Sequence, residues 1–111
     1  MDGQGASANH PMSVYTKPYW VYIVRCSDDT YYTGIAVDAD VRIEQHNAGK
    51  GAKYTRSRRP VTCVYREICI SKSVALRREL HIKALTRSEK ELLIGRYALS
   101  LTVQQSPVES E

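Results

Sequence analysis

Tyr22 and Tyr32 lie in neighbouring apolar segments, Arg42 follows at the start of a helical stretch, and Glu79 stands much further along as a lone carboxylate. Together they supply the parts that hydrolysis of a phosphodiester requires. The attacking water must be made more basic, charge on the phosphorane-like transition state neutralised, and the departing oxygen assisted. A planar guanidinium such as Arg42 can grip two phosphate oxygens at once. A magnesium ion held by one carboxylate can do several of these jobs. A free tyrosine has a pKa near about 10, so as a base at neutral pH it needs a cation and a metal-bound water beside it. Each part also has an ordinary reading. Two tyrosines on adjacent strands pack as a cross-strand aromatic pair, and Glu79 with Lys83 is an i,i+4 surface pair worth a few tenths of a kcal/mol.

The surroundings make the set more specific. Trp20-Val21-Tyr22 opens one strand, Tyr32-Thr33-Gly34 lies in the next, and Asp40 to Asn47 follows with Arg42 and His46. Here the chain resembles the GIY-YIG nuclease family, in which one strand carries Gly-Ile-Tyr, the next Tyr-Ile-Gly, and the following helix an arginine. The run Gly49 to Arg56, then Arg59-Pro60, looks like the short, single-domain branch. The resemblance covers roughly Tyr19 to Ile94. It implies that one tyrosine hydroxyl accepts or positions the water proton while the other orients the metal shell or phosphate, leaving open which is which. It also places Glu79, in Leu76-Arg77-Arg78-Glu79-Leu80, at the family's metal-binding glutamate. Two positions depart from the pattern: Trp20 replaces the first glycine, and Ile35 stands where some relatives carry a lysine, so turnover is expected to be slow unless Lys50 or Lys53 compensates.

The elements that must position these residues follow from residue pattern. Trp20 to Cys26 is rich in aromatic and β-branched residues, Ser27-Asp28-Asp29 supplies turn chemistry, and Thr30 to Ile35 returns, which predicts an antiparallel hairpin. Trp20, Tyr22, Val24 and Cys26 share one face and Val21, Ile23 and Arg25 the other; both faces are largely apolar, which predicts a central strand. Asp38 is the expected N-cap of a helix running to about Asn47 and ended by Ala48-Gly49. Arg42 and His46, four apart, share a side of it. Lys50 to Arg59 reads as a loop closed by Pro60, and Val61 to Ile70 as a third strand. Ser71 or Ser73 caps a second helix over Val74 to Leu85, with Leu76 and Leu80 expected to mark its buried stripe. Thr86-Arg87-Ser88-Glu89 has capping-box spacing and opens a third helix to about Tyr97. The fold class is α+β, in the order ββαβαα: a three-stranded antiparallel sheet flanked by helices.

With 111 residues the chain reads as one domain over 19–97, a marginal size for a core, between loose tails at 1–18 and 98–111. Met12 is an alternative start. No apolar run approaches the length of about 20 residues that spans a bilayer, and the amino end lacks a basic then apolar leader, so a cytoplasmic protein is expected. Cys26, Cys63 and Cys69 have neither CxxC nor zinc-type spacing and read as buried reduced thiols.

The net charge of +4 is unevenly spread. From Arg42 to Arg66 seven basic residues face one acid, Glu44, a local +6, while the rest of the chain carries nine basic and eleven acidic residues. A basic segment on a nearly neutral body is the footprint of a polyanion site, or else a solvated loop that aids solubility. Lys50, Lys53, Tyr54, Thr55, Arg56 and Arg59 are the expected nucleic-acid contacts, with Tyr54 stacking on an unpaired base. His46 would add a phosphate contact or a leaving-group proton, or else be a partly buried capping histidine; His81 reads as a helix-surface residue. The resulting expectation is a Mg²⁺-dependent DNA endonuclease, with Mn²⁺ a substitute. It would act on single-stranded or branched DNA in repair or DNA processing, without strong sequence specificity. The alternatives are a non-catalytic nucleic-acid-binding module with the same fold and an adaptor for an acidic protein.

Overall fold

The computed structural model describes residues 16–105; of the expected tails over 1–18 and 98–111, residues 1–15 and 106–111 lie outside them. Strands β1 (Tyr19–Arg25) and β2 (Tyr31–Ala36) form the expected hairpin. Its turn places Asp29 at φ 69°, a conformation that aspartate tolerates better than most residues. Strand β3 (Thr62–Cys69) pairs antiparallel with the other edge of β1, giving the order β2-β1-β3. The central place of β1 explains why both its faces are apolar.

One face of β1 sends Val21 and Ile23 into a core shared with Tyr65 and Cys69 of β3 and with Ala75 and Ile82. Helices α3 (Lys72–Lys83) and α4 (Arg87–Gln105) cover that face. The other face carries Tyr22, Val24 and Cys26 with Val61, and packs beneath Ile43 of helix α1 (Ala39–Asn47). Helix α1 begins where Asp38 caps the Val41 amide at 3.1 Å, as expected, and ends at Ala48, with Gly49 at φ +80°.

Four expectations need correction. The Lys50 to Arg59 segment contains a short helix, α2 (Lys53–Arg56), whose single turn is too brief to produce a periodic pattern. Of the two expected caps it is Ser71 that serves α3, accepting from the Val74 amide at 3.2 Å, but the helix starts and ends two residues earlier than expected. Its buried stripe is not Leu76 and Leu80, which are 42% and 67% exposed, but Ala75 and Ile82, both at 0%. Glu79 lies four residues after Ala75 and three before Ile82, on the same inward stripe. Helix α4 opens on the expected capping box, with Glu89 accepting from the Thr86 amide and Thr86 from the Glu89 amide, but runs to Gln105. No proline interrupts it, and Ser100 and Thr102 donate back to the carbonyls of Tyr97 and Ala98. Its last turns leave Leu99, Leu101 and Val103 exposed.

A polar bridge fixes the rotation of α3 against the sheet. Glu67 of β3 accepts from the Tyr65 hydroxyl and, through both oxygens at 3.0 Å, from Arg78, the residue immediately before Glu79. Cys26 and Cys69 are buried and free and Cys63 half-buried and free; burial raises the pKa of each thiol. Among the described residues no helix is long and apolar enough to cross a membrane.

Candidate active site

The hairpin register brings Tyr22 opposite Gly34, and Tyr32 opposite Val24. The two tyrosines are therefore diagonal neighbours on one face rather than a directly opposed aromatic pair. Gly34 leaves room for the Tyr22 ring: a Cβ there would stand 2.5 Å from the hydroxyl and 2.7 Å from Cζ. The fully buried Tyr22 side chain ends against His46 of α1, itself at 0% exposure. Tyr22 Oη lies 2.8 Å from His46 Nε2, and the other ring nitrogen, Nδ1, lies 2.7 Å from Thr55 Oγ1. Tyr32 packs edge-on to the same imidazole, ring centroids 5.3 Å apart. His46 is thus the hub that joins both strands to α1 and α2.

Charges around the hub set its protonation. Burial, foremost, and the neighbouring Tyr32 push the Tyr22 hydroxyl up to about 12; Arg42 favours its ionised form and pulls the other way, and Glu79 adds a small upward push. The fields of Arg42 and Glu79 thus both act on the Tyr22 hydroxyl. Burial, and then Arg42, lower the pKa of His46, so its imidazole is neutral near pH 7. A histidine whose folded pKa is depressed takes up protons more readily when unfolded, so its contribution to stability is present above the unfolded value, near about 6.5, and is lost as pH falls below it. Urea unfolding midpoints should therefore drop between pH 7.5 and pH 5, and His46→Gln should flatten that part of the profile.

The remaining candidates divide sharply. Arg42 is half-buried at the mouth of the site, with its guanidinium NH1 donating to Gln45 Oε1 at 3.0 Å. The side chain of Glu79 is only 16% exposed, and Lys83 lies 3.4 Å from its Oε2, so the expected i,i+4 pair forms although the carboxylate turns inward. Lys50, Lys53 and Arg56 are exposed. Arg59 is exposed but spends its donors on the chain, Nε on the Arg56 carbonyl at 2.9 Å and NH1 on the Asn47 carbonyl at 3.4 Å. An open pocket of about 520 Å³ lies beside the end of α1, lined by Asn47, Arg56, Ser57, Arg59 and Pro60, with two guanidiniums and no carboxylate.

Two expected nucleic-acid contacts are placed otherwise. Thr55 has 0% exposure and serves His46; α2 turns its hydroxyl inward. The Tyr54 ring is already stacked, with the Arg58 guanidinium 3.9 Å from its centroid and Tyr32 at 6.0 Å. Its hydroxyl donates to Thr30, and Arg58 in turn pairs with Asp28 at 3.0 Å. Tyr54 therefore latches α2 onto the hairpin turn, and a base could stack on the face that Arg58 covers only by displacing it. Sequence reading also missed Asn47, whose amide grips Val61 from both sides: Nδ2 donates to its carbonyl at 2.9 Å and Oδ1 accepts from its amide at 2.7 Å. That clamp follows the cis Arg59–Pro60 peptide. The signal for it was an uncharged amide at a helix end, which turn chemistry alone explains as well. His81 is exposed on α3, as expected.

Among the described residues no three His, Cys, Asp or Glu side chains converge as a metal cage. The donor set suits a hard, hydrated cation, since Mg²⁺ is commonly bound through one or two carboxylates, several waters and substrate phosphate. Glu79, mostly buried and within electrostatic range of Tyr22, fits that description.

Comparison with known proteins identifies the family to which this hairpin and these helices belong. The family profile described as the GIY-YIG catalytic domain matches residues 18–92, and the chain belongs to the GIY-YIG nuclease family. Among its relatives is a UPF0213 protein of Staphylococcus haemolyticus strain JCSC1435, 53% identical over 76 residues, which covers 68% of this chain and 93% of that one. A UPF0213 protein of Staphylococcus aureus strain Mu3 is 55% identical with the same coverage. Of solved structures, the solution NMR structure of a UPF0213 protein from Bacillus halodurans is 45% identical, with a TM-score of 0.47, over 70% of this chain and 83% of that chain. That of a protein from E. faecalis is 30% identical, with a TM-score of 0.48, over 86% and 95%.

Proposed function

We propose that the protein is a metal-dependent DNA endonuclease that hydrolyses phosphodiester bonds, acting on single-stranded or branched DNA during repair or DNA processing. The observation that carries this reading is the buried Tyr22 hydroxyl held 2.8 Å from His46 Nε2, with Arg42 and Glu79 acting on it electrostatically. Packing alone does not call for two phenols, an imidazole and a guanidinium gathered at one hydroxyl, with a mostly buried carboxylate on α3 acting on it through its field.

In this reading the two tyrosines take different roles. With a pKa near 12, only about one Tyr22 in 10⁵ is ionised at pH 7, so a standing phenolate is not the base. Tyr22 can take a proton from water if it gives its own away in the same step, and His46 Nε2 is in reach to receive it. Tyr22 is thus assigned as the base and His46 as its proton acceptor. Tyr32, edge-on to His46 and stacked on Tyr54, orients the imidazole and lines the approach of the phosphate. Arg42 binds the phosphate oxygens. Mg²⁺, or Mn²⁺ in its place, would be held by Glu79 and would supply Lewis-acid stabilisation of the phosphate charge.

Substrate would be gripped along its backbone. Lys50, Lys53 and Arg56 are exposed and have no side-chain ion pair or hydrogen bond among the described residues; Arg56 lines the 520 Å³ pocket and Lys53 shares α2 with it. Contacts to phosphate carry no sequence information, which fits a nuclease that reads strand shape. Replacing Lys50, Lys53 and Arg56 together by alanine should weaken DNA binding regardless of sequence. The slope of log affinity against log salt should fall by about 0.7 to 0.9 for each phosphate no longer neutralised, as fluorescence anisotropy titrations at several salt concentrations would show.

The test of the function itself presents labelled single-stranded, duplex and flapped DNA to the protein with Mg²⁺, Mn²⁺ or EDTA. Metal-dependent cutting, strongest on the single-stranded and flapped substrates, is expected. The pairing of Lys83 with Glu79 favours the second reading, a binding module with a neutralised carboxylate, which instead gives salt-sensitive binding and no product in any metal.

A further inference from the structure

His46 can serve Tyr22 as a proton acceptor only in one of its two neutral forms. If Nε2 carries the ring proton, it donates to the tyrosine oxygen and cannot receive anything from it. Which form exists is set by what the far nitrogen, Nδ1, finds, and it finds Thr55 Oγ1 at 2.7 Å.

A threonine hydroxyl has one proton to donate. Thr55 Oγ1 lies 3.1 Å from the Ala52 carbonyl oxygen as well as 2.7 Å from His46 Nδ1. A carbonyl can only accept. If the hydroxyl proton pointed at Nδ1, the two oxygens would face each other lone pair to lone pair inside a buried pocket. If it points at the carbonyl, the hydroxyl is free to accept from Nδ1–H, and the carbonyl, the hydroxyl and Nδ1 are all paired. The Ala52 amide approaches Nδ1 at 3.4 Å and would favour the opposite form. Its 3.4 Å lies beyond the usual range for N–H hydrogen bonds, whereas the Nδ1–Oγ1 contact at 2.7 Å lies within it and the Oγ1–carbonyl contact at 3.1 Å is only slightly long for O–H···O.

We infer that Thr55 is a positioning residue, whose hydroxyl donates to the Ala52 carbonyl and accepts from His46 Nδ1–H. It thereby holds the imidazole in the form whose Nε2 accepts the Tyr22 proton. The role extends the proposed nuclease mechanism and rests on it for its catalytic consequence. The protons balance: as the water oxygen bonds to phosphorus, water gives a proton to Tyr22 Oη, Tyr22 gives its own to His46 Nε2, and the imidazolium keeps Nδ1–H on Thr55, while the oxygen released by the breaking P–O bond takes a proton from solvent. Helix α2 has only enough length to place one side chain over the imidazole, and that side chain is the fully buried Thr55. The Tyr54 latch onto Thr30 and the Arg58 bond to the Tyr54 carbonyl, at 2.8 Å, hold α2 at that height.

The test reads the tautomer directly. Long-range ¹H–¹⁵N correlation spectra of the full-length protein at pH 7.5, where His46 is neutral, should show a protonated Nδ1 and an unprotonated Nε2. Thr55→Val, close in shape but without the hydroxyl, should lose that preference and cut DNA about 10- to 100-fold more slowly at unchanged DNA affinity. Thr55→Ser should restore both the tautomer and the rate. A wild-type spectrum with the proton on Nε2 overturns the inference, as does a Thr55→Val protein that keeps the Nδ1–H form or cuts at the wild-type rate. If wild type cuts no DNA, the nuclease reading falls and the assigned catalytic role of Thr55 falls with it; an Nδ1–H spectrum would then show that the hydrogen-bond chain itself stands. Should Thr55→Val fail to fold, the wild-type spectrum and Thr55→Ser still decide the matter.

Discussion

Tyr22→Phe should cut DNA about 10² to 10⁴ times more slowly than the wild type, the usual range for removal of a general base, while binding DNA as tightly. The substitution deletes one oxygen and leaves the ring in its slot over Gly34, so the sheet and its register persist. It also strands His46 Nε2 without a partner in a fully buried site, which costs about 1 to 3 kcal/mol and should lower the unfolding midpoint. Tyr32→Phe makes the contrast. No hydrogen bond to a described residue ties its hydroxyl into the His46 chain, and its ring contacts with His46 and Tyr54 survive the change, so a smaller loss in rate and little loss in stability are expected. Equal losses for the two variants in single-turnover cleavage would remove the distinction drawn between the tyrosines.

Gly51→Ala should be nearly as damaging although it touches no reacting atom. A Cβ at position 51 would stand 2.3 Å from His46 Nδ1, 2.7 Å from Cγ and 2.9 Å from Cα. The ring has no free space to retreat into, being held by Tyr22 and Thr55, and the Cα belongs to helix α1. Relief therefore requires movement of the connector between α1 and α2, which carries Thr55 away from the imidazole. Overpacking of this kind costs about 1 to 3 kcal/mol, and the broken hydrogen-bond chain should lower the cutting rate further than the lost stability explains. Gly95→Ala is the control: nothing lies within 4 Å of its added methyl, inside helix α4. Alanine there should raise stability by about 0.4 to 1 kcal/mol and leave cleavage alone. Equilibrium urea unfolding of both variants, with cleavage measured where each is fully folded, separates the two effects.

Much of this was readable from the chain. The central strand declared itself because both faces of Trp20 to Cys26 are apolar, and the helix starts declared themselves through Asp38 and the Thr86 to Glu89 box, whose side chains bond the amides that their types imply. What escaped follows from how sequence patterns are scored. The inward stripe of α3 consists of an alanine, a glutamate and an isoleucine, so hydrophobicity selects the larger but exposed Leu76 and Leu80 instead. Glu79 turns inward on that stripe, its side chain 16% exposed, and only the fold family marked it in advance. Thr55 and Tyr54 sit in a stretch of glycines and cations that reads as one solvated loop. A single helical turn divides that stretch by direction: Thr55 faces His46, Tyr54 stacks under Arg58, and Lys53 and Arg56 face solvent. Nothing local in Lys53-Tyr54-Thr55-Arg56 reveals which is which, because the deciding partners, His46, Thr30 and Asp28, come from elsewhere in the chain.

A carboxylate paired with Lys83 can still be central to the chemistry. Lys83 is half exposed, so water screens its side of the pair, and a divalent cation brings twice the charge of the ammonium it would displace. The most direct measurement is therefore cleavage of a labelled flapped DNA by wild type and Glu79→Ala, each titrated with Mg²⁺ and matched against EDTA. Product from the wild type should rise with Mg²⁺ and vanish in EDTA, and Glu79→Ala should give none despite undiminished DNA binding. A Glu79→Ala protein that cuts at the wild-type rate, or a wild type that cuts equally well in EDTA, would refute the role given to Glu79 and its metal.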